Sequence, residues 1–460
     1  MLKLKKGMSA LVVGLGRSGV SATKLLVKKG FHVTATDMRT KTELGELFEE
    51  IEGLDCRLEL GKHILKSFSD PDFIVVSPGI SLDIKPLVQA VKSKVPIISE
   101  VELASHFITE PMIAITGTNG KTTTACLLGE IFKQAERPVF VGGNTGTPLS
   151  EYVLARHDPN TWLVVEVSSF QLESCQQFRP HVAVFLNIAP DHLDRHPSFE
   201  AYVQAKMKLH ANMTPDDFIV ANLRDPQLMS HLSRVPSKAF YFTTDARKNI
   251  PVAFSEKFQG CYFDSQGIHL ETVRWKSGSF SVAPSKLAGL HNRENMMAAL
   301  LAAKLAGINN EAIQRAFLSF KPLPHRMEYV ARKNQVTFYN NSKGTNVHAL
   351  LRSLEVFPEP VILIAGGKDK GEDYSTLVPV IKRRVKNLIL VGETKEKMNR
   401  SVGDYSETFL VGTFEEAVYL AYQKSRSGDV VLLSPGCASQ DMFRDYEHRG
   451  DYFKELISRF

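Results

Sequence analysis

The run Ile113-Ala114-Ile115-Thr116-Gly117-Thr118-Asn119-Gly120-Lys121-Thr122-Thr123-Thr124 constrains this chain more than any other. An apolar strand enters a glycine-bearing turn, and a lysine followed by hydroxyl residues then opens a helix. A strand that feeds a helix in this way belongs to a parallel α/β sheet, where ligands gather at the carboxyl ends of the strands. The layout suits nucleotide phosphates, which Gly117, Thr118, Asn119, Gly120, Lys121, Thr122 and Thr123 can ring. Backbone N–H groups meet the oxygens, Lys121 adds charge, and Thr122 can ligate Mg²⁺. The common G-x-x-x-x-G-K-[ST] loop needs a glycine five residues before Gly120, and Ile115 stands there. The loop is a variant, which narrows the family as well as naming the ligand.

A length of 460 residues with 43% hydrophobic content is enough for about three ordinary domains. The net charge of +6 is spread over 56 basic and 50 acidic residues, with no basic block interleaved with aromatics. Nucleic-acid binding is therefore not expected. The five cysteines, Cys56, Cys126, Cys175, Cys261 and Cys437, include no Cys-x-x-Cys pair, so zinc and disulfide frameworks are not expected either. No apolar signal core or uncharged membrane-spanning length is present, and the expectation is a cytoplasmic protein with no membrane association.

Three blocks follow one another, with boundaries expected at 1–99, 100–323 and 324–460. The first runs from the strand Ala10–Val13 into Gly14-Leu15-Gly16-Arg17-Ser18-Gly19, and a second strand, Phe31–Thr36, ends in Asp37. That is a βαβ unit with a glycine turn, which either takes a nucleotide ligand or needs glycine only for packing. A third strand, Phe73–Val76, ends in Ser77. In the second block, Leu163–Val167 leads out of Glu166 to Ser168, and Val182–Ile188 leads to Asp191 and His192. Short strand-like runs between about 215 and 285 suggest a small accessory sheet. The third block follows Pro322 and Pro324, which disfavour continuing the preceding helix. Its apolar runs Val361–Ala365, Asn387–Val391 and Val430–Leu433 read as a second open parallel sheet.

Glu166 ends a buried strand in the same block as Lys121, the usual place for a second contact to nucleotide-bound Mg²⁺. The bland alternative is an acid capping a helix. His192, flanked by acids, reads equally as a structural hydrogen-bonder or a ligand. Lys206 shares a helix face with Tyr202 and His210, and composition alone reads it as a solvated lysine. The loops His325–Glu328 and Tyr339–Asn346 suit carboxylate or phosphate recognition, with exposed polar loops as the simpler reading.

Together these pieces resemble the Mur ligases of peptidoglycan synthesis and their relatives, the folylpolyglutamate synthetases. The resemblance rests on the Thr-Gly-Thr-Asn-Gly-Lys-Thr loop, Glu166-Val167-Ser168-Ser169-Phe170-Gln171-Leu172-Glu173, His192, Lys206 and His325-Arg326-Met327-Glu328. Asn340 to Asn346 and Leu433 to Ser439, with Asp441 and Phe443, extend it over nearly the whole chain. The chain looks most like the D-glutamate-adding branch; other Mur ligases, or a folylpolyglutamate synthetase-like ligase, are the alternatives. Folylpolyglutamate synthetases normally carry the phosphate loop close to the N-terminus, whereas here about a hundred residues precede it.

The resemblance implies three domains: a Rossmann-like one for a UDP-sugar, a P-loop ATPase-like one for ATP, and a Rossmann-like one for an amino acid. It implies ATP, two Mg²⁺ ions and a carbamylated Lys206, with UDP-N-acetylmuramoyl-L-alanine and D-glutamate as substrates and a monomeric enzyme. Lys121, His192 and Lys206 would be catalytic, and Thr122, Glu166, His192 and Lys206 would serve the metals. Ser18, Asp37, Ser77 and Asn144 would bind the sugar nucleotide. His291, Asn292 and Asn295 would surround the ATP base, and Arg326 and Lys370 would face its phosphates. Lys343, Ser439 and Tyr446 would hold the D-glutamate carboxylates. The chain departs from the family pattern at Asn341, Lys368 and Met38, where an aspartate, an acid and a small polar residue are usual.

Overall fold

The computed structural model describes residues 2–232, 235, 237–256, 258–283 and 285–460. The chain forms two compact units: Met1–Ile188, Glu200–Val282 and Asn295–Phe317 make the first, and Ala189–Phe199, Ala283–Glu294 and Leu318–Phe460 the second.

The first unit holds two sheets. Five parallel strands form one, in the order Cys56–Leu60, His32–Asp37, Ser9–Val13, Phe73–Val76, Ile97–Ser99. Ser9–Val13 sits at the centre, so Ala10, Leu11, Val12 and Val13 are all buried, and the leucine and two valines each contribute about 1.5–3 kcal/mol by leaving water. Helix Arg17–Lys28 covers one face with Val20, Leu25 and Leu26. Gly14 has φ +87°, and a Cβ on Gly19 would stand 1.8 Å from the Gly14 carbonyl oxygen. Two of the three glycines in the turn are therefore required by packing; Gly16 has open space around it.

The second sheet runs Gly278–Phe280, Gly267–Glu271, Gly260–Asp264, Lys238–Thr243, Phe218–Asn222, Val182–Phe185, Met112–Thr116, Trp162–Glu166, Val139–Gly143. The short strands expected after residue 215 are present and continue this sheet at its edge. Tyr241 pairs with Gly260, where a Cβ would lie 1.7 Å from the Tyr241 carbonyl oxygen. The strand expected over Val182–Ile188 stops at Phe185. Beyond it the Ile188 N–H is taken by the Asp225 carboxylate at 2.6 Å, and the Asn187 side chain turns toward the phosphate loop.

Two buried acids join these sheets. Glu102 is fully buried and accepts three successive N–H groups, from Gln176, Gln177 and Phe178. Glu100 accepts the Ser150 N–H at 2.5 Å, while its other oxygen is buried without a partner. Burial pushes the Glu100 carboxyl up to about 7, against the pull of Ser150.

The second unit is built on six strands in the order Glu328–Lys333, Val336–Asn340, Val430–Leu433, Val361–Ala365, Val385–Leu390, Glu407–Leu410. All neighbours are parallel except the first pair. Two of the three apolar runs read from the sequence coincide with strands; the third is shifted, beginning at Val385 and ending at Leu390. No helix among the described residues is long and apolar enough to cross a membrane.

Candidate active site

The phosphate loop leaves the strand Met112–Thr116 and enters helix Lys121–Gln134. Gly117 has φ +154° and Gly120 has φ +90°, backbone that residues with a Cβ rarely adopt. Gly120 has a second reason: a Cβ there would stand 2.3 Å from Oδ1 of Asn295. Lys121 curls back so that its Nζ donates to the carbonyls of Gly117 at 2.8 Å and Thr118 at 3.1 Å. Thr118 and Thr123 are buried, while Asn119, Lys121 and Thr122 are half-buried.

Glu166 is 3% exposed and gathers the polar groups around it. Its Oε2 accepts from Thr122 Oγ1 at 2.7 Å; its Oε1 accepts from Asn144 Nδ2 at 2.9 Å and Thr145 Oγ1 at 3.1 Å. A hydroxyl and a carboxylate in direct contact beside a phosphate loop are hard oxygen donors suited to Mg²⁺. Among the described residues no group of three or more His, Cys, Asp or Glu side chains gathers to hold a metal.

Lys206 overturns the compositional reading of a solvated side chain: it is 2% exposed. On helix Phe199–Met207 it points under the phosphate loop, donating to the Gly117 carbonyl at 3.0 Å and lying 4.6 Å above the Tyr202 ring. Tyr202 is also buried, with its hydroxyl 2.9 Å from Thr118 Oγ1. Sequence reasoning assigned no role to Tyr202 or to Asn187. Asn187 Oδ1 accepts the Asn119 N–H at 2.9 Å and its Nδ2 donates to the Asn119 carbonyl at 3.1 Å. The Asn187 carbonyl takes the Thr118 N–H at 2.8 Å, so one residue pins the turn from three directions.

At the glycine turn of the first sheet, Asp37 is buried and fully engaged. Its Oδ2 accepts the Leu15 N–H at 2.6 Å and Arg39 Nη2 at 2.8 Å; its Oδ1 accepts Arg39 N and Nε. Burial would raise its carboxyl, but the hydrogen bonds from Arg39 and Leu15 outweigh that and hold it below the usual carboxylate range. Ser77 Oγ donates to the Gly14 carbonyl at 2.6 Å, and Ser18 lies in the first turn of the helix behind Gly16. Met38 is 60% exposed.

In the second unit His192 adopts φ +57°, unusual for a residue with a side chain, and its N–H donates to Asp191 Oδ1 at 2.9 Å. Asp191 is buried and also accepts from Asn346 Nδ2 at 2.8 Å, with Lys370 Nζ at 3.4 Å. Arg326 sits between two further residues with positive φ, His325 at +60° and Met327 at +49°. Asn340 and Glu328 hold His325 through its ring and its N–H. Such strain persists only where surroundings over-determine it, and it singles out Arg326 as a presented group. Lys343 Nζ lies 3.8 Å from the Tyr446 ring centroid, and Ser439 is buried nearby in the Ser434–Ser439 loop. Burial, with Arg352 and His348 close by, pushes the His291 ring down to about 3, so it is neutral. Asn292 is buried on the same segment.

Among the departures from the family pattern, Asn341 has partners of its own. Asn341 donates to Ser434 Oγ at 3.1 Å and accepts the Met327 N–H at 3.3 Å. Asp369 is ion-paired with Lys397 at 2.8 Å, which draws its carboxylate to that lysine.

A strand–glycine turn–lysine helix backed by a hydroxyl–carboxylate pair and a buried lysine defines a nucleotide-dependent group-transfer enzyme. Family models match three successive stretches: Mur ligase MurD-like, N-terminal domain, over residues 8–99; Mur ligase middle domain over 115–303; and Mur ligase, glutamate ligase domain, over 325–437. The chain is 46% identical to the UDP-N-acetylmuramoylalanine--D-glutamate ligase of Geotalea daltonii, covering 98% of this chain and 97% of that one. It is 45% identical to the enzyme of the same name from Bdellovibrio bacteriovorus, covering 99% and 98%. Its fold is similar to a pseudomurein peptide ligase type C from Methanothermus fervidus, with TM-score 0.62 and 21% identity, covering 98% of this chain and 100% of that one. It is also similar to the MurF ligase of Thermotoga maritima in complex with ADP, with TM-score 0.60 and 16% identity, covering 100% and 97%. The chain belongs to the Mur ligase family, ATP-dependent enzymes that form amide bonds.

Proposed function

We propose that this chain joins D-glutamate to UDP-N-acetylmuramoyl-L-alanine, consuming ATP, in peptidoglycan precursor synthesis. Support comes from relatives of that name at 41–46% identity over nearly the full length. The observation that carries the chemistry is the Thr122–Glu166 contact beside a lysine-bearing phosphate loop.

In this reading residues 1–99 hold the sugar nucleotide, 100–323 hold ATP, and 324–460 hold the amino acid. Lys121 leaves its loop carbonyls to meet the γ-phosphate, while Asn187 and Tyr202 hold the Thr118–Asn119 turn in place through its own N–H and hydroxyl groups. A carboxylate oxygen of the L-alanyl group takes the γ-phosphoryl, the bond to the ADP oxygen breaks, and an acyl phosphate results. The amine of D-glutamate attacks its carbonyl carbon; the tetrahedral intermediate loses inorganic phosphate and a proton to give the amide. Thr122 and Glu166 would hold one Mg²⁺ and His192 and Lys206 a second, and bound metal would neutralise charge where two anions meet. Arg326 and Lys370 serve the phosphates, His291, Asn292 and Asn295 the base, and Lys343, Ser439 and Tyr446 the D-glutamate carboxylates. Ser18, Asp37, Ser77 and Asn144 serve the sugar nucleotide.

Lys206 fits a carbamate. A buried ammonium would repel a metal, whereas a neutral amine that adds CO₂ and releases a proton becomes an anionic oxygen donor. Lys206→Ala should then lose ligation and regain part of it with added short-chain carboxylates; full activity in the variant would exclude the carbamate. The reaction itself is tested by phosphate release from ATP. It should require both UDP-N-acetylmuramoyl-L-alanine and D-glutamate, and equal turnover with L-lysine or diaminopimelate in place of D-glutamate would overturn the assignment.

A further inference from the structure

Arg449, on helix Tyr446–Ser458, is 1% exposed and heads the fully buried side chains of the chain. Its guanidinium makes four hydrogen bonds, all to neutral oxygens. Nε donates to Ser342 Oγ at 3.0 Å, and Nη2 to the carbonyls of Ser342 at 2.8 Å and Cys437 at 3.2 Å. Nη1 donates to the Ala438 carbonyl at 3.1 Å. Ser342 belongs to the Asn340–Asn346 loop, and Cys437 and Ala438 to the Ser434–Ser439 loop. A third loop closes on the same point. The Lys368 N–H donates to the Ala438 carbonyl at 3.0 Å, and a Cβ on Gly367 would stand 3.2 Å from Nη1. Further bonds run from Gly436 N–H to the Gly344 carbonyl and from Gly366 N–H to the Pro435 carbonyl, both at 2.8 Å.

These three loops carry Lys343, Lys370 and Ser439. A planar fork that reaches two of them fixes their spacing in a way a lysine cannot, because a guanidinium holds its donors rigidly in one plane. The charge matters as well. Burial lowers the Arg449 guanidinium only to about 10, so it remains a cation at neutral pH. The carboxylate that acts on it at longer range, Asp441, gives its Oδ2 to the Glu393 N–H. A buried cation bonded only to neutral oxygens is costly unless an anion completes it.

We propose that Arg449 is a positioning residue for the incoming amino acid: it sets the Asn340–Asn346 and Ser434–Ser439 loops that hold it, and its charge beneath them favours a dicarboxylate. This rests on the D-glutamate reading above. Arg449 touches loop carbonyls and not the reacting atoms, so its effect falls on the amino acid's KM and not on the sugar nucleotide's.

The test uses the full-length enzyme with Arg449→Lys and Arg449→Met, measuring KM for D-glutamate, ATP and UDP-N-acetylmuramoyl-L-alanine beside the melting temperature. Arg449→Lys keeps the charge and loses the fork, and the D-glutamate KM should rise on the order of tenfold; Arg449→Met should raise it further. The sugar-nucleotide KM should stay within about twofold. An unchanged D-glutamate KM, or an equal rise in all three constants with a lower melting temperature, would overturn the proposal and leave a structural arginine. Should neither variant fold, Ser342→Ala decides. It removes the Nε acceptor, together with the Ser342 Oγ bond to the Tyr446 carbonyl at 2.8 Å, and leaves Arg449 in place. A few-fold rise confined to D-glutamate is expected; no rise would overturn the proposal. If the wild type accepts a different amino acid, the D-glutamate reading falls by itself. The KM of that amino acid then carries the same comparison.

Discussion

The first unit contains two glycine turns at the ends of parallel strands, and they are used differently. At Gly14–Gly19 the nearby carboxylate, Asp37, is saturated by its own chain through Leu15 and Arg39. At Gly117–Lys121 the nearby carboxylate, Glu166, is met by two hydroxyls and an amide side chain, and the lysine donates to loop carbonyls. The first turn is a fixed cradle whose charges are already balanced. The second places a lysine beside a hydroxyl–carboxylate pair, donors suited to phosphoryl transfer. The glycine pattern alone does not separate a binding turn from a reacting one; the partners of the nearest carboxylate do.

The contrast can be broken at either turn. Lys121→Ala should reduce turnover on the order of a thousandfold or more while leaving sugar-nucleotide affinity intact, measured by steady-state kinetics and by calorimetry. Loss of sugar-nucleotide binding in that variant would mean the two turns are not separate devices.

The next largest effect is on stability. Glu100 has its folded-state carboxyl raised from 4.5 to about 7 by burial. An acid raised in this way binds its proton more tightly when folded. Its contribution is complete below pH 4.5 and is lost as pH rises through about 7, a change of about 3 kcal/mol by linkage. Glu100→Gln should flatten that part of the profile in denaturant titrations across pH 4 to 9. An unchanged slope would show that Glu100 is not the group responsible. Asp37 runs the opposite way: its depressed carboxyl contributes stability that is lost as pH falls through its folded value.

The smallest effect expected is from Asp37→Asn. It weakens the hold on Arg39 and the Leu15 amide and should raise the sugar-nucleotide KM about tenfold with kcat nearly unchanged. A fall in kcat instead would make the first turn part of the chemistry.

Much of this was legible in the sequence for physical reasons. Phe73–Val76, Val361–Ala365 and Val430–Leu433 are strands because uninterrupted apolar runs suit positions buried on both faces of a parallel sheet. The phosphate loop was legible because glycine, lysine and threonine must be adjacent there. Lys206 was not, because its burial comes from meeting Gly117, 89 residues earlier in the chain. Asn187 was hidden for a related reason. Thr116 pairs with Phe185, and only that register brings Asn187 against Asn119. Arg449 looks like any charged residue on a C-terminal helix, and its partners lie 107 residues earlier at Ser342 and, across a turn of the chain, 12 residues earlier at Cys437.

Central to this account is that ATP held by the Gly117–Lys121 loop passes its γ-phosphoryl group to the substrate carboxylate, with ADP leaving. It is tested most directly by labelling the L-alanyl carboxylate of UDP-N-acetylmuramoyl-L-alanine with ¹⁸O and analysing the released phosphate by mass spectrometry. One labelled oxygen should appear in each phosphate formed during ligation. Unlabelled phosphate accompanying amide formation would contradict the account, because no acyl phosphate would then have been made.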